Sequence, residues 1–267
     1  MKKILITGAG SYIGNSFAAY LQRFAGEYQT ETVDMIGNGW KDVSFSGYDA
    51  VFHVAGIAHI RETAENAPLY YAVNRDLAIA TAQKARAEGV GQFVFLSSMS
   101  VYGMEEGCIT RDTVPAPKSN YGSSKLQAEA GLEELKADTF RIAVLRPPMV
   151  YGDGCKGNYQ SLVKFAKIMP VFPDYRNQRS MLHIDGLCEA VRCIIDGAQQ
   201  GLFLPQDPEY VCTCRMVQSI ARDMGRDLKL TKLLNPAVAL AKRFTGIGRK
   251  AFGDLYYEKE NGLERRP

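Results

Sequence analysis

The chain has 267 residues, of which 46% are hydrophobic and 23% are charged, with a formal net charge of +3. This length fits one domain with a small addition, and the weak positive charge does not indicate a nucleic-acid-binding protein. Six cysteines without a Cys-x-x-Cys pair, together with three histidines, predict free thiols in a reducing compartment and no metal site.

The amino-terminal segment lacks the features of a targeting signal. Its apolar run, Ile4-Leu5-Ile6, ends at Thr7 and is too short for the hydrophobic core of a signal peptide. No other stretch approaches the roughly 18 apolar residues that a membrane span needs. We therefore expect a cytoplasmic protein without a membrane span.

The first 150 residues alternate short apolar runs with segments of helical periodicity. Such alternation predicts an α/β fold, in which a doubly wound parallel sheet is covered by helices on both faces. The predicted strands are 4–7, 31–34, 49–54, 93–96 and 141–145, and the predicted helices are 12–25, 74–88 and 121–136.

After Tyr151 the pattern becomes less regular. A loop over 152–157 precedes a predicted helix over 158–168, and a short strand over 181–185 leads into a helix over 187–195. Thr213 is predicted to cap a helix over 215–224, and Asn235 is predicted to cap a helix that has Pro236 at its first position. We expect 1–150, with later segments that return to it, to form one domain, and 151–267 to form a short lobe.

A glycine-rich segment joins the first strand to the first helix. Gly8, Gly10 and Gly14 would let the backbone approach a pyrophosphate at the helix amino terminus. Asp34 lies twenty residues beyond Gly14, where a carboxylate would bind an adenosine ribose. These residues predict dinucleotide binding, with NAD preferred to NADP because Asp34 would repel a 2′-phosphate. The alternative is a glycine-rich turn followed by a surface aspartate.

Tyr121 and Lys125 are four residues apart and therefore share one face of a helix. Lowering a phenol pKa by about three units takes about 4 kcal/mol, which one cation roughly 4 Å away can supply. The pair alone is a common pattern, and its interest comes from the segments around it.

Several motifs together make the chain resemble an extended short-chain dehydrogenase/reductase of the nucleotide-sugar epimerase/dehydratase family, in which a Rossmann domain carries a small carboxy-terminal substrate lobe. The similarity covers nearly the whole chain. Its motifs are the glycine segment with Tyr12 and Ile13, Phe52-His53-Val54-Ala55-Gly56, Asn74, Leu96 to Gly103, Tyr121-Gly122-Ser123-Ser124-Lys125, Leu145 to Gly152 and Arg179 to Asp185.

The resemblance implies a role for each matched residue near the cofactor. Tyr121 would be the acid/base, Lys125 would lower its pKa and hold the nicotinamide ribose, and Ser98 would orient the substrate oxygen. Contacts with the cofactor are expected from the glycine segment and from further matched positions: Gly8, Gly10, Tyr12, Ile13, Gly14, Asp34, Ala55, Gly56, Asn74, Tyr121 and Lys125. Asn74 would also brace the helix beneath the cofactor.

The resemblance also implies substrate contacts. Ser100 would offer a second hydroxyl, Asn158 would contact the phosphates or the sugar, and Arg179 would clamp a nucleotide diphosphate, with Arg176 as its rival. His183 is expected to be structural, and His59 is a weaker candidate for substrate contact.

Two departures from the family pattern bear on the reaction. Dehydratases of the family place Asp-Glu after the catalytic hydroxyl, whereas this chain has Met99-Ser100, which disfavours dehydration. Met149 stands where many relatives have a substrate-contacting asparagine, and the substrate lobe is short.

The resemblance therefore implies an NAD-dependent enzyme acting at C4 of a nucleotide-sugar, and we favour a UDP-hexose 4-epimerase. A nucleotide-4-keto-sugar reductase is the alternative, and a non-catalytic dinucleotide sensor is the alternative from another class. A homodimer formed through the helices near 75–88 and 121–136 is also implied. The segment Pro236–Phe244 predicts an amphipathic helix, for which packing in the fold is favoured over binding at a membrane surface.

Overall fold

A six-stranded parallel sheet forms the centre of the fold, which confirms the predicted class. The structure, a computed structural model, describes residues 1–58, 60–155 and 157–259, with only the backbone for Asn158 and Ile247. The strand order is β10-β6-β4-β3-β1-β2. These strands are β1 (Lys2–Thr7), β2 (Tyr28–Val33), β3 (Ala50–His53), β4 (Gln92–Leu96), β6 (Arg141–Leu145) and β10 (Gly201–Phe203).

The register brings the carboxyl ends of the central strands to one edge of the sheet. Thr7 in β1 pairs with Val33 in β2 and with His53 in β3. His53 in turn pairs with Phe95, one residue before the end of β4. The segments that follow these strands therefore begin side by side, and the predicted site residues lie on them.

Helices cover both faces because side chains alternate along each strand. On one face α1 (Tyr12–Leu21) and α6 (Ile184–Asp196) pack on Ile4 and Ile6. On the other face, α3 (Leu77–Ala87) and α4 (Asn120–Glu133) pack with Leu5.

The helix predicted over 74–88 differs from the one observed. It begins earlier, as α2 (Ala67–Tyr71), and passes through one π turn at Ala72–Asp76 before α3. Helix α1 ends at Leu21, four residues before the predicted end at residue 25.

A second, smaller core lies beyond the sheet. It joins α5 (Asn158–Ile168) and α7 (Thr213–Asp223) with the strand pair β8 (Val171–Pro173) and β11 (Lys229–Thr231). The other paired strands are β7 (Met149–Tyr151) with β9 (Met181–His183), and β5 (Gly107–Ile109) with β12 (Leu255–Tyr257).

Two predicted helix caps are wrong. Thr213 is the first residue of α7, and Cys212 occupies the cap position, because the Thr213 hydroxyl instead donates to the Ala251 carbonyl at 2.8 Å. Asn235 is likewise inside α8 (Asn235–Phe244), and its amide donates to the Asp174 carbonyl at 3.0 Å. Long-range partners occupy both side chains.

The described part of the chain ends in two short helices and β12. Helix α8 buries Val238 but leaves Leu240 61% and Phe244 68% exposed, so part of its apolar surface is not packed in the fold. Helix α9 (Gly246–Phe252) follows after one residue. No helix among the described residues is long and apolar enough to cross a membrane.

Candidate active site

The loop after β1 lies against the end of β3 so closely that it needs glycine. Gly8 has φ +98°, and a Cβ added there would lie 3.1 Å from the Ala55 Cα. Gly10 has φ +75°, and a Cβ on Gly14 would lie 2.7 Å from Ser11 Oγ. Because of these conformations and contacts, the loop backbone packs directly against the ends of the strands.

The amino terminus of α1 supplies hydrogen-bond donors at this loop. Ser11 caps the helix, its Oγ accepting the Gly14 N–H at 3.1 Å. The N–H groups of Tyr12 and Ile13 have no protein partner among the described residues. Two free donors at the positive end of a helix form a binding position for a phosphate.

The Tyr12 side chain packs away from these donors. A Cβ on Gly152 would lie 3.1 Å from its hydroxyl, which is buried without a hydrogen-bond partner among the described residues. Burial raises the pKa of Tyr12 to about 12. Ile13 packs against the sheet core. Both residues therefore present backbone, rather than side chain, to a ligand of the loop.

Asp34 directly follows β2 and is exposed. Its Oδ1 accepts the Ile36 N–H at 2.9 Å, which fixes the carboxylate in a tight turn. A depression of about 420 Å³ lies beside it, with Trp40, Val43 and Tyr48 in its lining. Aromatic and apolar walls next to a carboxylate suit a purine nucleoside. These three residues were not predicted from the sequence, in which a lone tryptophan between two strands was the available signal.

The hydroxyls of Ser98 and Tyr121 are brought together from different elements. Ser98 stands two residues beyond the end of β4, and Tyr121 lies in the first turn of α4. The two side chains lie close enough for the Ser98 hydroxyl to oppose the rise in the pKa of Tyr121 that burial causes. Ser98 Oγ also lies 3.1 Å from Ser100 Oγ. Three hydroxyls thus lie in one cluster.

Lys125 is buried one helical turn below Tyr121. Its Nζ donates to the Leu96 carbonyl at 2.8 Å and lies 4.7 Å from the centre of the Phe95 ring. Burial lowers the pKa of Lys125 to about 8, against the opposing effect of Glu129. At pH 7 the ammonium is therefore still mostly protonated.

The structure differs from the expectation that Lys125 lowers the pKa of Tyr121. Burial of the phenol raises its pKa, and the opposing contribution comes from Ser98. The physical reason is that burial of the phenol is the largest effect on its pKa. The shared helix face was predicted correctly, whereas the predicted lowering of the Tyr121 pKa is not seen, because its net shift is upward.

The Asn74 side chain forms hydrogen bonds with other protein atoms. From the π turn, its Oδ1 accepts the Ile57 N–H at 2.9 Å, and its Nδ2 donates to the Ile57 carbonyl and to Ser124 Oγ. The predicted bracing role agrees with these bonds. The cofactor contact predicted for Asn74 remains a prediction, since protein atoms take both N–H groups of its amide and one lone pair of its oxygen. A Cβ on Gly56 would lie 2.9 Å from Asn74 Oδ1 and 3.3 Å from Lys125 Nζ, so glycine is needed there.

Glu62 was missed by the sequence analysis. Its carboxylate accepts the backbone N–H of Asn120 at 2.9 Å and that of Tyr121 at 3.1 Å. A negative group at the start of α4 is favoured by the helix dipole and fixes the backbone that carries the phenol. No spacing rule connects a loop glutamate with a helix 58 residues later.

A buried ion pair lies beneath the hydroxyl cluster. Arg146 and Glu129 approach to 2.5 Å with side chains 9% and 10% exposed. Glu129 also accepts a hydrogen bond from Ser97, and Arg146 donates to the Tyr102 hydroxyl at 2.9 Å. Glu129 is one helical turn beyond Lys125, which was the signal available in the sequence. This pair fixes α4 to the strand ends.

Of the predicted substrate residues, Ser100 lies in the hydroxyl cluster, and Arg179 and Asn158 lie towards the smaller core. Arg179 is half-buried, and its guanidinium donates to the Gly253 carbonyl at 3.1 Å, while Arg176 is exposed. Burial lowers the pKa of Arg179. Asn158 begins α5, but its side chain is outside the described part of the structure, as is the whole of His59.

His183 and Met149, which were also singled out from the sequence, both contact other parts of the fold. His183 caps α6, its Nδ1 accepting the Asp185 N–H at 3.3 Å, as expected for a structural histidine. Met149 lies in β7 and packs against the second core. No cluster of His, Cys, Asp and Glu within the described ranges could hold a metal ion.

Comparisons with known proteins agree with this geometry. Residues 4–203 match the model of the family described as NAD dependent epimerase/dehydratase. A UDP-glucose 4-epimerase of Vibrio cholerae is 29% identical over 249 residues, which cover 82% of this chain and 75% of that protein.

A second relative matches a smaller part of the chain. The N-acetyl-alpha-D-glucosaminyl-diphospho-ditrans,octacis-undecaprenol 4-epimerase of Escherichia coli O157:H7 is 31% identical over 157 residues, which cover 57% of this chain and 46% of that protein. Among solved structures, the dTDP-glucose 4,6-dehydratase DesIV of Streptomyces venezuelae, with NAD and TYD bound, superposes with a TM-score of 0.74 at 18% identity, covering 99% of this chain and 90% of that one. This last likeness shows the fold.

Proposed function

Because the chain belongs to the NAD dependent epimerase/dehydratase family, we propose that it is an NAD-dependent 4-epimerase of a nucleoside-diphosphate hexose, with a UDP-hexose as the favoured substrate. The observation that carries the proposal is the placement of the Tyr121 phenol beside Ser98, with Lys125 one helical turn away. These groups lie at the same sheet edge as the glycine loop.

The residues at that edge fit a dinucleotide. Gly8 and Ala55 leave no room for a side chain between them, and the N–H groups of Tyr12 and Ile13 would hold a pyrophosphate. Asp34 would bind the adenosine ribose beside the neighbouring depression, and its charge favours NAD over NADP. Bound there, NAD would supply the hydride acceptor and donor.

Tyr121 is the group that would exchange a proton with the sugar O4. Ser98 would hold the same oxygen, since its hydroxyl already contacts the phenol and can both donate and accept. Lys125, one helical turn from the phenol, keeps its positive charge near neutral pH. The charge is therefore present whether Tyr121 takes a proton from the sugar or returns it. Glu62 and Asn74 would position these groups rather than touch the substrate.

The choice of substrate class rests on the relatives and on Arg179. The Vibrio cholerae and Escherichia coli relatives are both named 4-epimerases, and both names describe sugars joined to a diphosphate. Arg179, with Asn158, would bind that diphosphate. Met99-Ser100 after Ser98 offers no acid/base pair for dehydration.

A 4-keto-sugar reductase uses the same hydroxyl cluster and is the second candidate. The apolar Met149 favours it, because fewer anchors suit a single sugar pose. A non-catalytic dinucleotide sensor would not need the contact between Ser98 and Tyr121. The domain boundary near residue 150, a homodimer through α3 and α4, and a cytoplasmic location remain predictions.

Two measurements on the purified chain test the proposal. Mass spectrometry of small molecules released on denaturation should detect retained NAD, and a UDP-hexose incubated without added cofactor should yield its C4 epimer. An empty site together with reduction of a 4-keto sugar by added NADH would replace the epimerase with a reductase. Retained NAD without turnover of any nucleotide-sugar would indicate a sensor.

A further inference from the structure

Two cysteines at the start of α7 lie in sulfur–sulfur contact. Cys212 Sγ and Cys214 Sγ are 3.3 Å apart. Cys212 occupies the cap position with extended backbone, φ −94° and ψ 124°, and is half-buried, whereas Cys214 is fully buried in the second core. The extended cap residue brings the two sulfurs together, because side chains two positions apart inside a helix point in different directions.

The surroundings of the two thiols differ. The contact with Cys214 and backbone N–H groups, including that of Arg215, lower the pKa of Cys212. The same contact, burial and the nearby Asp174 raise the pKa of Cys214, whose Sγ lies 3.9 Å from Asp174 Oδ1. Arg215 lies 3.7 Å from the same carboxylate, so it partly offsets that charge. The half-buried sulfur at the helix amino terminus is thus suited to be the thiolate, and the fully buried sulfur beside Asp174 to be the thiol.

We propose that Cys212 and Cys214 form an oxidative modification site, at which a peroxide converts the contact into an intramolecular disulfide. The Cys212 thiolate attacks hydrogen peroxide, forming an S–O bond and breaking the O–O bond, and hydroxide leaves. The Cys214 thiol then attacks the sulfenic sulfur; an S–S bond forms, the S–O bond breaks, and water leaves with the Cys214 proton. Two electrons pass from the two thiols to the peroxide.

The other described thiols do not share this arrangement. Burial raises the pKa of Cys108, of Cys155 and of Cys188. Burial, together with Glu189, also raises the pKa of Cys193, whose thiol donates to that carboxylate at 3.4 Å. Raised pKa values leave less thiolate for reaction with a peroxide. The modification should therefore be selective for the pair.

The pair is joined to Arg179 through backbone contacts. Val211, the residue before Cys212, exchanges two backbone hydrogen bonds with Arg179, at 2.9 and 2.8 Å. Thr213, between the cysteines, donates its N–H to Asn177 Oδ1 at 2.8 Å. A disulfide needs the sulfurs at about 2.05 Å, so its formation would pull on the turn that holds these residues. Oxidation should therefore raise the KM for the nucleotide-sugar by displacing Arg179, an expectation that rests on the proposed function.

The first test measures thiol chemistry alone. The intact protein, treated with a small excess of hydrogen peroxide, should lose two titratable thiols and two hydrogen atoms of mass, and dithiothreitol should reverse both. Peptide mapping should find the link between residues 212 and 214. Loss of thiols from other cysteines first, or no loss under conditions that oxidise free cysteine, would overturn the proposal whether or not the protein is an epimerase.

Variants separate the two steps. Cys214→Ser should stop at a sulfenic acid on Cys212 that dimedone traps, and Cys212→Ser should abolish the fast reaction. The matched control Cys108→Ser, another half-buried thiol, should react like the wild type. If Cys212→Ser oxidises at the wild-type rate, Cys212 is not the reactive thiol. The thermal unfolding of each variant verifies that it is folded.

A kinetic measurement tests the link to Arg179. Oxidised protein should show a KM for the UDP-hexose raised about tenfold, the effect of weakening one hydrogen bond to a charged group, with kcat nearly unchanged. An unchanged KM in fully oxidised protein would overturn the coupling. It would leave the proposed epimerase activity untouched, since that activity is measured on the reduced protein.

Discussion

The carboxylate of Glu62 holds the backbone of Tyr121: Glu62 Oε1 accepts the Tyr121 N–H at 3.1 Å, and Oε2 accepts the N–H of Asn120. A loop after β3 is thereby fixed to the first turn of the helix that carries the phenol. The position of the phenol thus depends on a side chain that has no part in proton transfer.

Replacing Glu62 should impair turnover through Tyr121. We expect Glu62→Gln to lower kcat several-fold and Glu62→Ala about tenfold, with a loss of about 1 kcal/mol in the free energy of unfolding from the lost helix cap. Steady-state kinetics and urea unfolding measure the two effects. Glu65→Gln, in the same loop and exposed, is the control and should change neither. Wild-type kcat in Glu62→Ala would refute the positioning role.

Removing the Tyr121 hydroxyl should stop proton transfer without unfolding the protein. Tyr121→Phe keeps the ring and loses only the contact with Ser98, so kcat should fall by about 10²–10⁴ while thermal unfolding stays close to wild type. Tyr20→Phe, which loses a hydroxyl bond to Glu189 far from the site, should retain full turnover. Activity of Tyr121→Phe within a few-fold of wild type would show that another group is the acid/base.

The carboxylate of Asp34 should set the cofactor preference. The wild type should bind NAD more tightly than NADP, and Asp34→Asn should narrow that ratio about tenfold, because the amide keeps the turn to Ile36 but not the charge. Calorimetric titration of the apoprotein with each dinucleotide measures the ratio. Glu27→Gln, exposed and just before the other end of β2, is the comparison variant. Tighter binding of NADP by the wild type would contradict the assignment.

Lys125 should make stability depend on pH in the alkaline range. Its pKa in the fold is about 8, below the usual 10.5, so between these values the unfolded chain holds more protons and the free energy of unfolding rises with pH. The rise should total about 3 kcal/mol. The Lys125→Met variant should lack this rise in the free energy of unfolding. It should be inactive, and at pH 7 it should be at least as stable as the wild type, because a buried charge is removed.

Urea unfolding at several pH values between 7 and 10.5 measures this dependence. Lys84→Met, which removes an ammonium paired with Glu88 near the surface, should keep the rise seen in the wild type. An equal rise in Lys125→Met would assign the dependence to other groups.

The sequence was most informative about where strands end. Asp34, Ala55 and Ser98 each follow a buried apolar run, and parallel strands bring their carboxyl ends to one edge, so their proximity could be predicted. The helical spacing of Tyr121 and Lys125 likewise fixed their common face.

Contacts between distant segments could not be predicted in the same way. Which acceptor the Lys125 ammonium takes depends on how close the Leu96 carbonyl lies, and spacing within α4 says nothing of that distance. Glu62 reaches α4 from an irregular loop, where periodicity gives no signal. The Cys212 and Cys214 contact needs an extended cap residue, whereas the predicted cap was Thr213.

The π turn at Ala72–Asp76 holds one more residue than an α-helical path would. Deleting that residue would leave the helices on both sides intact and turn the face bearing Asn74 by about 100°. The amide would then lose both Ile57 and Ser124, although no bond to a ligand had been touched. An insertion of this kind is easy to gain in a helix and hard to lose once a buried amide depends on it. Relatives that differ in length here should therefore also differ in how they brace the end of β3.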